Sequence, residues 1–582
     1  MNLTIEMFVI GTYLLILLAV GFIFRRFSSN VSDYFRNGCK GTWWMVGMSS
    51  FMAGISAYTF TAAAGVAYEV GFSVLLMYLA NTAGFLINYL FLAPYFRRVR
   101  AITMPEVIKL RFGVTTQQFF AWISIPVYIL QAGVQLYALA IFSSAIFGFD
   151  IGAVIVVLGA AVLIYSTIGG SWAVMANDFI QGMIMFSVTI VMAVVALHAV
   201  GGLDGFARMI GEQGLSADFS LVKAPGAFPE NKYTWFWVIA IFMHALLNSC
   251  SLQGAGRYFA VKDEREAKRA ALIGMVLSFI GMLFWFIPPM VARLLYSADV
   301  DAMQIAKPAE AAFAVAASKL LPNGMMGLMV VAMFAAGTSS LDSGLNRNAA
   351  IFSCDIIPAM CRLFRRKPIE GKPLLFISRV VSLLFGLLII AIALIFAGQK
   401  GTGQFEFLLR IASLVLLPLV IPMFLGLWIR RAPSWSAMVS VTAGALCSIL
   451  QWNSESWFGI KINYQTSMFI GTIVSSCAFL ATALFWEKTN PEYHRQVDAF
   501  FTRLATPIDF EKEVGEGNDR SQLRLVGSCT AIMGLVVLSL LFLKNPWSGR
   551  LCILCVGGPI IAIGGFMCRV GNRRPKLTDE RT

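Results

Sequence analysis

MMGLMVVAMFAAGTSSLDSGLNRNAAIFSCDI, residues 325–356, begins as an apolar helix, then fills with small and hydroxyl side chains and carries Asp342, Arg347 and Asp355. Lipid gives no reason for such a change. A charge at the centre of a membrane helix costs roughly 2.5–3.5 kcal/mol on insertion scales, so these residues are expected to face a cavity, an ion or one another. Hydroxyls beside carboxylates are hard oxygen ligands, suited to a hard cation and not to a soft metal. The stretch therefore predicts a cation-binding helix inside a membrane. Close packing of helices through small and hydroxyl residues is the competing reading.

The rest of the chain places that helix in lipid. Of 582 residues, 58% are hydrophobic and 13% charged, with 47 Phe against 3 His. So much apolar surface suits a chain solvated by lipid, not by water. About fifteen apolar stretches are long enough to cross roughly 30 Å of hydrocarbon. They lie near 5–24, 43–64, 71–96, 118–148, 151–170, 174–200, 234–257, 270–296, 325–356, 374–397, 405–430, 434–453, 464–486, 524–543 and 549–568.

The net charge of +14 is distributed by topology. With an outside N-terminus, the inner loops would be 25–42, 97–117, 257–269, 361–373, 430–431, 487–524 and 569–582, and they hold 32 of the 45 Lys and Arg residues. This is the positive-inside pattern, which predicts a cell-membrane protein with its N-terminus out and its C-terminus cytoplasmic. The basic excess sets orientation in the bilayer and implies no nucleic-acid partner. His198, His244 and His494 are too scattered for a zinc motif, and no GxSxG, HExxH or phosphate loop is present, so an enzyme is not expected.

Counting crossings, spans two to six (43–200) and seven to eleven (234–431) form two five-helix units of opposite sense, as an inverted-repeat carrier requires. Residues 1–42 supply a leading helix and inner loop, 201–233 an outer loop, and 432–582 about four accessory helices with an inner loop at 487–523. In that inner loop Phe500, Phe501, Leu504 and Phe510 predict a short amphipathic helix lying on the inner surface. The first helix of such a unit should break near mid-membrane. Residues 47–65, GMSSFMAGISAYTFTAAAG, have the glycines and hydroxyls for this, although packing through small residues would look similar.

Three motifs occur in order: DYFRNGCKGTWWMVGMSSFMAGIS at 33–56, GGSWAVMANDFIQ at 169–181 and AAGTSSLDSGLNRNAAIFSCDI at 335–356. Together they resemble the sodium:solute symporter family, which includes sodium-coupled sugar, proline, sialic acid and pantothenate carriers. The resemblance implies an all-α integral membrane protein with a LeuT-like 5+5 inverted-repeat bundle. It implies sodium-coupled symport of a small polar organic solute by alternating access, with Na+ as the coupling ion, and a proton-coupled or uncoupled carrier as the nearest alternative. A transporter-like sensor is a more distant one.

Carried over by position, the family's sodium site would use the carbonyls of Met52, Ile55 and Ala336 with the hydroxyls of Ser339 and Ser340. A second sodium site, found in some members, would fall on Asp178, Ser339, Asp342 and Ser343, with Asp342 where a hydroxyl is usual. Two carboxylates around one sodium would call for a proton or for a nearby Arg347; a structural Asp342–Arg347 pair is the competing reading. Solute-facing positions would be Thr59, Tyr78, Asn81, Gln131, Gln135, Ser251, Gln253 and Arg410, the last either meeting a carboxylate or pairing with Glu406.

Overall fold

The computed structural model describes residues 3–147, 149–249, 254–303, 307–398 and 416–573. Among these there is no β-strand, only an isolated bridge between Gly41 and Val261. Helix follows from the solvent: inside hydrocarbon every backbone N–H and C=O must be satisfied within its own segment.

The apolar helices are α1 (Leu3–Phe24), the bent pair α2 (Trp43–Gly54) and α3 (Ala57–Val70), α4 (Ser73–Arg98), α5 (Val114–Phe147), α6 (Ile151–Ala199), α7 (Trp235–Ser249), α8 (Glu264–Leu295), α9 (Met325–Leu363), α10 (Gly371–Gly398), α11 (Leu417–Gly426), α12 (Ser436–Trp452), α13 (Tyr464–Lys488), α14 (Asp519–Phe542) and α15 (Trp547–Asn572). Ten are long and apolar enough to cross a bilayer by themselves, and the α2–α3 pair, bent by 60°, is an eleventh; α7, α11 and α12 are shorter apolar helices. The chain is a multi-pass membrane protein. Most of span eleven, 399–415, lies outside the described residues.

Two stretches separated in the sequence reading, 151–170 and 174–200, run together as α6 across a break at Gly170. Gly170 has φ 60°, and a Cβ there would sit 2.6 Å from both the ring and the carbonyl oxygen of Tyr34. Only glycine allows the chain to turn so close to that neighbour. The second of the three motifs thus begins at a backbone break, which aims the following half-helix and its Asp178.

Helix α9 is the most enclosed span, with 94% of its apolar window buried, and it packs against α6, α5 and α1. At its N-terminus it is capped from outside its own segment: the Glu6 carboxylate on α1 accepts hydrogen bonds from Gly324 N at 2.9 Å and from Gly327 N. A Cβ on Gly327 would meet that carboxylate at 2.5 Å. Glu6 therefore satisfies two of the N–H groups a helix start leaves unpaired, and its negative charge suits the positive end of the helix dipole.

The amphipathic helix expected at 487–523 forms as Pro491–Ala505, but it lies against protein and not bare membrane. Val497, Phe500 and Leu504 are buried, and the helix packs on the short helix Met104–Phe112. The reason is polar anchoring. Gln496 donates to the carbonyls of Lys109 and Leu110, Arg111 donates to the Tyr493 hydroxyl at 2.9 Å, and Arg100 pairs with Glu513 at 2.7 Å.

Candidate functional site

The break between α2 and α3 falls at Ile55–Ser56, inside the 47–65 stretch. Ile55 is extended (φ −104°, ψ 141°), so its carbonyl is released from helical bonding. The Ser340 hydroxyl on α9 donates to that carbonyl at 2.9 Å. Met52 O accepts the Ile55 N–H. The structure thus joins Ser340 of α9 to Ile55 at the break, with Met52 three residues before Ile55 on α2 and Ala336 one turn before Ser340 on α9. The donor set there, carbonyl and hydroxyl oxygens without a formal charge, fits a monovalent hard cation held weakly enough to be released.

Ser339 turns instead toward α6, where its hydroxyl donates to Asp178 Oδ1 at 2.5 Å. Asp178 is buried, and Oδ2 also accepts from the Ser49 hydroxyl on α2. The charge on this carboxylate is met by Arg257, whose Nη2 lies 3.3 Å from Oδ2. The same Nη2 donates to the Ser343 hydroxyl. A guanidinium therefore stands between Asp178 and Ser343, two members of the second cation site implied by resemblance. Ser343 in turn donates to Ser339 O at 2.7 Å, which ties the five side chains into one network.

Asp342 touches the network through Ser343, whose hydroxyl lies 3.3 Å from its Oδ1, and turns its other oxygen away. The Tyr165 hydroxyl on the first half of α6 donates to its Oδ2 at 2.5 Å. The competing expectation of an Asp342–Arg347 pair is not met: five residues of helix turn the two onto different faces, and Arg347 lies over the ring of Tyr128, 5.2 Å from its centroid. Behind the network, Gln181 donates to Tyr13 of α1 at 2.9 Å and to Thr338 at 3.3 Å.

A cavity of about 410 Å³ adjoins this cluster. Its wall includes Ile55, Asn81, Gln131, Gln135, Arg257, Ser340, Ser343 and Arg347, and it extends to Phe35, Ile102 and Met104 in the basic segments 25–42 and 97–117. On the opposite side the path is filled by rings. Trp285 packs against Phe51 at 5.9 Å, Phe60 at 6.3 Å and Tyr78 at 5.9 Å, and Phe60 against Phe313 at 5.3 Å. Thr59 and Tyr78 belong to this packed layer: the Tyr78 hydroxyl donates to Thr59 Oγ1 at 2.9 Å, and both are buried behind the cavity wall. Asn81, Gln131 and Gln135 do reach the cavity. Ser251, Gln253, Arg410 and Glu406 lie outside the described residues.

The sequence reading missed three members of the network. Arg257 was counted among the positive charges of an inner loop, yet the 3-10 turn Gly254–Ala260 brings it back to Asp178. Ser49 was only one of several hydroxyls in the broken stretch. Tyr165 carries no signal in sequence, because the turn at Gly170 separates it from Asp178 by an amount no periodicity encodes.

A broken helix crossing a second helix over a cavity, with hard-oxygen ligands at the crossing, defines a LeuT-like secondary transporter. A family model described as the sodium:solute symporter family matches residues 34–444. The chain belongs to that family. It is 25% identical over 500 residues to sodium/glucose cotransporter 2 of Rattus norvegicus, covering 78% of this chain and 72% of that protein. It is 24% identical over 517 residues to the sodium/sialic acid symporter NanT of Aliivibrio fischeri, covering 87% and 98%. Among solved structures, the substrate-bound outward-open state of a Na+-coupled sialic acid symporter superposes with a TM-score of 0.71 at 20% identity, over 84% of this chain and 98% of that one. Mhp1, a nucleobase-cation-symport-1 transporter in a closed conformation, gives 0.51 at 15% identity, over 81% and 99%.

Proposed function

We propose that this protein is a sodium-coupled symporter of a small polar organic solute, acting by alternating access between two inverted five-helix units. The observation that carries the reading is the meeting of Ser340 with the freed carbonyl of Ile55 beside the solute-sized cavity. When sodium is bound, Met52, Ile55 and Ala336 supply carbonyl oxygens, and Ser339 and Ser340 turn hydroxyl lone pairs inward. The ion supplies charge and a reason for α2 and α9 to stay together. The residues do the rest: Ser340 already ties the break to α9, and Asp178 orients Ser339.

Coupling follows if sodium binds one arrangement of the broken helix better than another, since a ligand shifts an equilibrium only by its differential affinity. Each sodium moving inward down 100 mV releases about 2.3 kcal/mol from voltage alone. The positive-inside pattern puts the N-terminus outside and the C-terminus in the cytoplasm of a cell membrane. With that orientation the cavity reaches the inner face, and the Trp285 layer closes the outer one. A second ion at Asp178, Asp342 and Ser343 requires Arg257 to withdraw. We infer transport without catalysis, the relatives being transporters.

A proton-coupled carrier is the second reading, favoured by one observation: Asp342 is a buried carboxylate whose neighbours are the hydroxyls of Tyr165 and Ser343. Uptake into proteoliposomes, with sodium replaced by choline across a pH series, separates the two. Uptake that persists in choline and follows the proton gradient would rule out the sodium reading.

A further inference from the structure

Arg347 lies in the cavity wall and has an unusual electrostatic position. Asp342, the carboxylate nearest to it in sequence, is turned toward Tyr165. Among the described residues no carboxylate lies within ion-pair distance of its guanidinium; Tyr128 meets it, with its ring 5.2 Å beneath and its hydroxyl in reach of one donor. A cation–π contact holds a guanidinium flat and leaves its edge, with the N–H donors, free to point away from the ring. Arg347 lines the cavity, and one bond to Tyr128 leaves most of its five N–H donors for a ligand there.

The surroundings add to the pattern. Tyr128, Gln131 and Gln135 are spaced three and four residues apart on α5, so they share one face, and all three line the cavity with Arg347. Arg257 contributes a second guanidinium to the same wall, but its charge is met by Asp178. An uncompensated cation at membrane depth is costly, and residues of this kind are kept where a partner arrives from a cavity. A planar guanidinium matches a carboxylate in a two-bond fork, and the neighbouring amides can both donate and accept, as hydroxyl or amide groups on a solute require. A volume of about 410 Å³ is sufficient for a molecule of sugar-acid size.

We propose that Arg347 is the anion-binding residue of the solute site and that the transported solute carries a carboxylate. The inference rests on the symport reading for the cavity being the solute site. The solute, on arriving, provides the counter-charge that the protein withholds from Arg347, and Gln131 and Gln135 read the polar groups beside it.

The test uses the full-length protein in detergent and matched pairs of probes: glucuronate against glucose, lactate against 1,2-propanediol, proline against prolinamide. Thermal stabilisation is read with sodium and with choline. At least one carboxylate probe is expected to stabilise the protein where its neutral counterpart does not. Arg347→Gln should raise the half-saturating concentration of that probe by about a hundredfold, with Arg347→Lys recovering part of the loss. Because Arg347→Gln removes an unpaired charge, its melting temperature without solute should be no lower than that of the parent. Its stabilisation by sodium alone should be unchanged, which keeps this outcome distinct from a failure of the sodium site. Neutral probes binding as well as their acids, no carboxylate stabilising the parent, or undiminished carboxylate affinity in Arg347→Gln would each overturn the proposal.

Discussion

Asp178→Asn would test the buried network directly. The substitution keeps the shape of the side chain and one acceptor oxygen but removes the charge that meets Arg257 at 3.3 Å. Stripping one partner from a buried ion pair costs about 3–5 kcal/mol, most of it the penalty on the charge left behind. The low end applies here, because Arg257 keeps its bond to Ser343 and its side chain remains 12% exposed toward the cavity. Of the two hydroxyl bonds from Ser49 and Ser339, the asparagine oxygen can retain one. The expected loss is about 3 kcal/mol, or roughly a hundredfold in the folding equilibrium. Equilibrium unfolding in mixed detergent micelles, on Asp178→Asn, Arg257→Gln and the double variant, measures it. The double variant should lose at least about 1 kcal/mol less than the two singles added together, since it leaves no charge stranded. Additive losses would show that Asp178 and Arg257 act independently and would refute the reasoning.

Ser340→Ala removes both the bond to Ile55 O and one proposed ligand, so the sodium concentration giving half-maximal uptake should rise about tenfold, with Ser340→Thr close to the parent. Glu6→Ala leaves Gly324 N and Gly327 N without their acceptor and should lower stability by about 2 kcal/mol, read as a fall in melting temperature that Glu6→Gln partly restores. The Arg100 guanidinium holds the Glu513 carboxyl below the ordinary glutamate value of 4.5. The pair therefore adds stability above that pH and loses it as pH falls through the lower folded value; with both side chains partly exposed the gain is at most about 1 kcal/mol. The protection of amides across 491–515, taken relative to their intrinsic exchange at each pH, should accordingly fall on acidification to about pH 3, whereas unchanged protection would mean that the pair does not anchor this segment.

Apolar run lengths placed nearly every span, because crossing a fixed hydrocarbon thickness is a one-dimensional requirement. The broken helix was also legible, since freed carbonyls need glycines and hydroxyls near the middle of a span. What was not legible depends on turns. The two helices of α6 were legible as separate spans, but nothing in their composition shows that they meet at Gly170 with a positive φ and no loop. Arg257 was read as a topology signal because the rule that counts loop arginines is blind to a 3-10 turn folding one back inside. Thr59 and Tyr78 were placed facing solute by alignment, but a bond between them and the rings of Trp285 and Phe286 keep them in the packed layer in this conformation. The face of the amphipathic helix Pro491–Ala505 was visible in its spacing; its partner, a neighbouring short helix, was not.

The position of Arg257 has a consequence for the return stroke of the cycle. Once cargo has left, the vacated interior still holds the Asp178–Arg257 pair, one negative group against one positive, with Ser343 bound to the same guanidinium. That pair reorients without dragging net charge of its own through the electric field. Membrane voltage would act on the laden half of the cycle through the sodium charge in excess of the solute carboxylate, so that a single sodium travelling with one carboxylate would cross as a neutral couple.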